Sequence, residues 1–474
     1  MMKKILLLLC SLAGFSAAGA GLRLPEIVGD NMVLQQQSAA RLWGWADPGA
    51  RITVSASWSE TPVEALTGGD GRWTVAVQTP EAGYSPRQIT VSDGRVQLTL
   101  RNVLIGEVWF CSGQSNMEMP LDGFTSQPVE NANADIARAG RYPGIRMATI
   151  ARVKASVPQE EAAGGWKCCT SETAPRFSAT AFYFARTLNE TLDVPVGIVQ
   201  CSWGGSKVEG WMPRSLLEQY PDIDLADTTS AKCVDYRRPM VMYNAMLYPL
   251  RHYTIRGFVW YQGCSNVGTH RTYAGRQAAM VGHWRELWGQ GDLPFYFVEI
   301  APYQYGEGDR GAFLREAQHR AAKLIPGSGI VSTADLVKPY EEHCIHPSRK
   351  REVGERLAYM ALNRTYGRWG VACESPEYRE MTLSDDGAAL LAFDHTDGGL
   401  CFPGRIEGFE AAGADRVFHA AQAERISNQR IKVSLPGGSP VVAVRYCFRN
   451  WAPAQLWNCR GLPLLPFRTD DWEE

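Results

Sequence analysis

The sequence predicts an α/β protein, a parallel-sheet domain flanked by β-sandwich-like regions. Three observations predict it. Short β-rich runs separated by Gly/Pro turns fill residues 22 to 103. Apolar strand patterns then alternate with helix patterns over 104–368, as in a parallel sheet covered by helices. Beyond residue 368 the helical period fades and strand patterns return. The expected divisions are 1–20, a signal peptide; 21–103, an N-terminal β-domain; 104–368, the α/β domain; and 369–474, a C-terminal β-region.

The elements follow in order. Strands are expected at 41–45, 52–55, 73–77 and 89–92, with Asp47-Pro-Gly49, Gly68-Gly-Asp-Gly71 and Asp93-Gly94 as turns. A strand at 108–111 runs into Gly113 and a helix. A helix at 177–189 and a strand at 196–201 come next, then a strand at 256–261 and a helix at 273–288. The series continues with a strand at 295–300, a helix at 313–325, a strand at 330–333 and a helix at 349–365. Strands at 390–393, 431–435 and 441–448 close the chain. In a parallel α/β sheet, ligands sit beyond the carboxyl ends of the strands, so the loops after these strands are where chemistry is expected.

The 474 residues are 45% apolar and 21% charged, the balance of a globular protein large enough for two or three domains. A formal net charge of -2 implies no attraction to nucleic acid or an anionic membrane. The 15 tryptophans and 18 tyrosines chiefly supply core packing, with a few available to stack on sugars. Lys3 and Lys4, the apolar run 5–15 and Ala18-Gly-Ala20 make a leader with a small-x-small cleavage site. The run is too short to span a bilayer, and Leu9 is too large for lipoprotein processing at Cys10. A secreted or periplasmic protein without membrane insertion is expected. Eleven of the 12 cysteines follow residue 20, an odd number that leaves at least one without an intramolecular partner.

Gly113-Gln-Ser-Asn-Met117 puts Ser115 just after a strand and at the start of a helix, where amides and dipole favour developing negative charge. The alternative is a helix-capping serine. A serine nucleophile needs a base, and all eight histidines lie beyond residue 250. His346 follows the 330–333 strand by a loop and precedes a helix, so it shares the loop rim with Ser115. Cys201-Ser-Trp-Gly-Gly-Ser206 offers glycine amides and Trp260-Tyr-Gln-Gly-Cys-Ser-Asn266 offers the Asn266 side chain as oxyanion donors. Turn or cap roles are the alternatives for these residues.

The block Gly106-Glu-Val-Trp-Phe-Cys-Ser-Gly-Gln-Ser-Asn-Met-Glu118 resembles the first block of the sialate O-acetylesterase family of SGNH hydrolases. Asn31-Met-Val-Leu34, Trp43-Gly-Trp-Ala-Asp-Pro-Gly49, Ser202-Trp-Gly-Gly205, Tyr243-Asn244, Trp260-Tyr-Gln-Gly263, Arg315-Glu-Ala-Gln318, His346-Pro347, Gly461-Leu-Pro463 and Pro466-Phe-Arg-Thr-Asp470 resemble its other blocks in order. The resemblance implies an SGNH-hydrolase-like sheet domain and a serine esterase without metal or cofactor, acting on acetylated sugars, sialic acid first among them. Carried over by position, it makes Ser115 the nucleophile and His346 the base. The Ser115 amide, the Gly205 amide (or that of Gly204) and the Asn266 side chain become the oxyanion hole, and Gln262 binds substrate. The alternatives are an esterase for acetyl-xylan or another plant glycan, and a carbohydrate-binding homologue with weakened catalysis.

Two departures from that pattern stand out. Cys264 occupies a glutamate position, and Cys344-Ile-His-Pro347 replaces Asp-Ile-His-Pro, with His343 where many SGNH enzymes have aspartate. Glu341, Glu342 or a backbone carbonyl is left to orient His346. Because the two loops must converge, a Cys264–Cys344 disulfide fixing the His346 loop is also expected. A metal cluster at 341–346 is disfavoured by its His-x-x-His spacing.

Overall fold

The computed structural model describes residues 21–225 and 236–472. The leader 1–20 lies outside the described residues. The N-terminal strands are β1 Val33–Gln35, β2 Ala39–Trp45, β3 Arg51–Ala56, β4 Val63–Leu66, β5 Arg72–Gln78 and β6 Gly83–Ser92. They lead into a 17-residue strand, β7 Gln97–Gly113. β2 pairs antiparallel with β5. The other sheet runs β4-β3-β6-β7, with β1 parallel to β7 on its far part. Strict in/out alternation along β5, where Trp73, Val75 and Val77 are buried, gives this layer its core face.

β7 belongs to two sheets. Up to Ile105 it pairs antiparallel with β6, and from Glu107 it pairs parallel with strands of the central sheet. The boundary expected at 103/104 thus falls inside one strand, as a change of partners. The remaining strands are β8 Ile145–Thr149, β9 Trp166–Cys168, β10 Val196–Ser202, β11 Gly257–Tyr261, β12 Phe295–Val298 and β13 Ser328–Val331. Their order is β13-β12-β11-β7-β10-β8-β9, parallel except for β9.

The helices are α1 Ser115–Glu118, α2 Ala132–Arg138, α3 Ala179–Leu192, α4 Arg214–Leu217, α5 His270–Trp288, α6 Arg310–Leu324 and α7 Lys350–Arg364. Alternation along the central strands divides the core in two. Phe110, Phe258 and Trp260 join the residues of α5 and α6 on one face. Trp109, Val259 and Tyr261 join those of α3 and α7 on the other. Strands apolar on both faces are what a parallel sheet sandwiched by helices requires. The C-terminal region forms two four-stranded antiparallel sheets around a shared core that includes Leu391, Phe393, Val433 and Tyr446. The α/β class with flanking β-sandwich-like regions is the one the sequence predicts.

Candidate active site

β7 ends at Gly113, whose φ is 137°. A Cβ there would lie 2.2 Å from the Tyr261 carbonyl oxygen, so glycine is required where β7 and β11 close on each other. Three strand-end loops are stitched together at this point. The Gln114 amide donates to Tyr261 O (2.9 Å) and the Trp203 amide to Gly113 O (3.1 Å). The Gly263 amide donates to Gln114 Oε1 (2.8 Å). Ser115 opens α1 at the carboxyl edge of the sheet, next to the loops of β10 and β11.

His346 reaches Ser115 from the loop after β13. Ser115 Oγ–H donates to His346 Nε2 at 2.7 Å. On the other side of the ring, Nδ1–H donates to Gln127 Oε1 at 2.6 Å. Gln127 and Phe124 exchange backbone hydrogen bonds across a tight turn, and the Phe124 ring meets the imidazole edge-on at 5.2 Å. The Gln127 carbonyl thus selects the tautomer whose Nε2 lone pair faces the serine. Burial first, and the Lys350 ammonium second, hold the imidazole down to about 4. It is therefore neutral at pH 7, the form a general base needs.

Gln127 is the residue that sequence reasoning missed. It lies 219 positions from His346, belongs to no recognisable block and is not acidic. The acidic candidates near His346 are employed elsewhere. Glu341 accepts the Ser348 and Lys338 amides at 2.9 and 2.8 Å. Glu342 meets the Gln304 amide through its main-chain carbonyl, and the Nδ1 partner of His346 is Gln127 in place of either glutamate. The expected Cys264–Cys344 disulfide is also corrected. Both are free thiols, and Cys344 Sγ instead donates to His346 O at 3.2 Å.

Asn266 is buried beside this pair of loops, and its amide plane is fixed from both ends. Oδ1 accepts the Val208 amide (3.0 Å) and Gln262 Nε2 (2.8 Å). Nδ2 donates to the Glu209 carboxylate at 3.0 Å and to Thr269 Oγ1 at 3.4 Å, and that carboxylate is gripped by Arg276 at 2.6 Å. The Gly204 amide is taken by Glu118. The amides of Ser115 and Gly205 have no acceptor among the described residues. Of the two candidate glycines, Gly205 is therefore the one whose amide is left open, at a φ of 75° where a Cβ would stand 2.9 Å from Tyr236 Oη. Gln262, expected at the substrate, is a correction. It is fully buried, donates to Ser206 O as well as Asn266, and accepts the Tyr273 hydroxyl at 2.9 Å. Its place is behind Asn266, because every polar atom of its side chain already has a partner within the protein.

A hydroxyl bonded to a neutral imidazole, with uncommitted amides alongside, can attack a carbonyl and hold the resulting oxyanion. Residues 105–363 match the family described as carbohydrate esterase, sialic acid-specific acetylesterase. The chain belongs to that family. The acetylesterase is similar over 95% of its length to the human sialate O-acetylesterase, with 26% identity and 93% of that protein covered. To the mouse sialate O-acetylesterase it is 27% identical, with 95% of each chain covered. The crystal structure of a carbohydrate acetylesterase from Xanthomonas citri superposes with a TM-score of 0.85 at 32% identity, covering 95% of this chain and all of that one. The acetylesterase is accordingly a carboxylic ester hydrolase of carbohydrates.

Proposed function

We propose that this acetylesterase is a serine enzyme that releases acetate from O-acetylated sialic acid. The observation that carries the mechanism is the 2.7 Å hydrogen bond from Ser115 Oγ to His346 Nε2. As Ser115 Oγ bonds to the acetyl carbon, its proton passes to Nε2 and the carbonyl oxygen becomes an oxyanion. The Ser115 and Gly205 amides stabilise it, and Asn266 Nδ2 joins them by exchanging its long 3.4 Å hydrogen bond to Thr269 Oγ1 for the oxyanion. Collapse breaks the bond to the sugar oxygen, which leaves with the proton from Nε2. Water, deprotonated by the same nitrogen, then frees acetate from Ser115. Gln127 keeps the ring aligned through both halves without contributing a charge.

Sialic acid is chosen because the relatives that match along nearly the whole chain are sialate O-acetylesterases. The leader 1–20 supports export to the periplasm or beyond. Among the described residues, no helix is long and apolar enough to cross a membrane. Acetate release from O-acetylated sialic acid and from acetyl-xylan, measured side by side, tests the substrate. Turnover of the sialic acid ester at the higher kcat/KM is expected, and a preference for acetyl-xylan would replace it with a plant-glycan role. A serine-reactive phosphonate should label Ser115, and labelling elsewhere with full activity retained would end the serine mechanism.

A further inference from the structure

Lys350 is the first residue of α7 and is fully buried. Both facts are unfavourable for a cation. The first turn of a helix carries partial positive charge, and an ammonium loses its hydration on burial. What the side chain reaches explains its presence. Nζ donates to Asn116 Oδ1 at 2.8 Å and to Pro347 O at 2.6 Å. Asn116 follows the nucleophile Ser115 directly, and Pro347 follows His346. From its other end, Asn116 Nδ2 donates to Ile345 O at 3.0 Å. The carbonyls on both sides of His346 are thus held by one two-residue clamp, Lys350 and Asn116, whose second jaw is attached to the nucleophile's own turn.

We infer that Lys350 is a positioning residue that locks the His346 loop to the Ser115 turn through Asn116 and places a buried cation beside the imidazole. The inference rests on the reading of Ser115 and His346 as nucleophile and base. The groups facing the ammonium are Cys344 and Glu341 from the His346 loop, Cys264 from the loop of β11, and His346 itself. Burial draws Lys350 down to about 7 against the pull of Cys344, Glu341 and Cys264. The amine keeps two N–H bonds when neutral, so both tethers survive its deprotonation. While it is charged, it opposes a proton on His346.

The test is acetate release across pH by four variants of the full chain, each checked for a folded thermal transition. Lys350→Met removes tether and charge. Its kcat should fall by about 10²-fold, the scale of a slightly misplaced reacting group. The acid limb of its rate profile should move to higher pH, because a cation that opposed imidazolium is gone. Lys350→Gln restores a donor without the charge, so part of kcat should return while the limb stays displaced. Asn116→Ala cuts the clamp and keeps the charge, so kcat should fall with the limb in its wild-type place. A Met variant with wild-type kcat and an unmoved limb overturns the inference, as does one that loses rate with the limb unmoved. If neither lysine variant folds, wild-type kcat in Asn116→Ala overturns it alone. Ser115→Ala is the separate control. Activity retained there removes the underlying nucleophile reading, whatever the lysine variants do.

Discussion

The two halves of the site are held in place by different means. Ser115, Gly205 and Asn266 sit just past the ends of β7, β10 and β11, which are neighbours in the sheet. Their loops are short and joined mainly by main-chain amides, such as those of Gln114, Trp203 and Gly263. His346 comes from a long loop beyond β13, three places from β7 in the strand order. Side chains hold it, Gln127 on the ring and Asn116 on the Ile345 carbonyl from distant segments, and Cys344 and Lys350 on the next two carbonyls from close by in the chain. Sheet geometry sets the first half, and individual side-chain bonds set the second. The nucleophile half should therefore respond to loss of its reacting groups, and the base half should respond, in graded steps, to loss of its tethers.

Ser115→Ala should have the largest effect. Removing a nucleophile that works as a unit with its base costs on the order of 10⁴–10⁶-fold in turnover. The thermal transition should barely move, because the change deletes one hydroxyl at the rim. Near-normal acetate release by this variant would dissolve the comparison, since neither half would then have a reaction to serve. Asn266→Ala comes next. Loss of one oxyanion donor costs roughly 10²–10³-fold, mainly in kcat. A loss confined to KM would make Asn266 a substrate contact and would leave Glu209 fixing it for binding.

The first half was the more legible in the sequence, and for a physical reason. A strand apolar on both faces, a glycine and a polar residue make a local pattern, so Ser115, Gly205 and Asn266 can be located within a few residues of a strand end. The second half offers no such pattern. Gln127 acts across 219 positions, and a glutamine in a turn resembles any other. The same distinction governs the fold. The division expected near residue 103 follows the change from β-rich runs to alternating strands and helices, yet β7 continues through Gly106 and Glu107. Glu107 is fully buried there because Gln36 (2.7 Å), Arg256 (2.8 Å) and Tyr366 (2.8 Å) satisfy its carboxylate. Partners this remote are supplied by tertiary structure and leave no periodicity behind them.

Gln127→Glu sharpens the contrast by changing charge without changing shape. In the wild type the rate should fall with acid only as pH passes about 4, since His346 must be neutral to accept the Ser115 proton. A carboxylate on Nδ1 favours the imidazolium and raises that value. The acid limb should then move upward by about 1–3 units, the usual effect of an adjacent opposite charge. The plateau rate should be kept, because the acceptor for Nδ1–H is still present. A limb that stays near 4 would mean that Gln127 does not face the working imidazole.

The smallest effect should come from the thiols. Cys344 Sγ donates to the carbonyl of His346, the middle of the three tethered carbonyls, while Asn116 and Lys350 hold those on either side. A thiol is a weak donor, and its loss leaves the outer two tethers in place. Cys344→Ser substitutes a stronger donor with a shorter reach. Acetate release should therefore change by no more than a few-fold, far less than for Asn266, and the acid limb should stay where it is, unlike that of Gln127→Glu. Because Cys264 and Cys344 are free, a reductant should leave the rate unchanged. Slowing by reductant, reproduced by Cys344→Ser, would mean that a covalent bond restrains the His346 loop. The base half would then be pinned as firmly as the nucleophile half, and the distinction between the two would fail at this one residue.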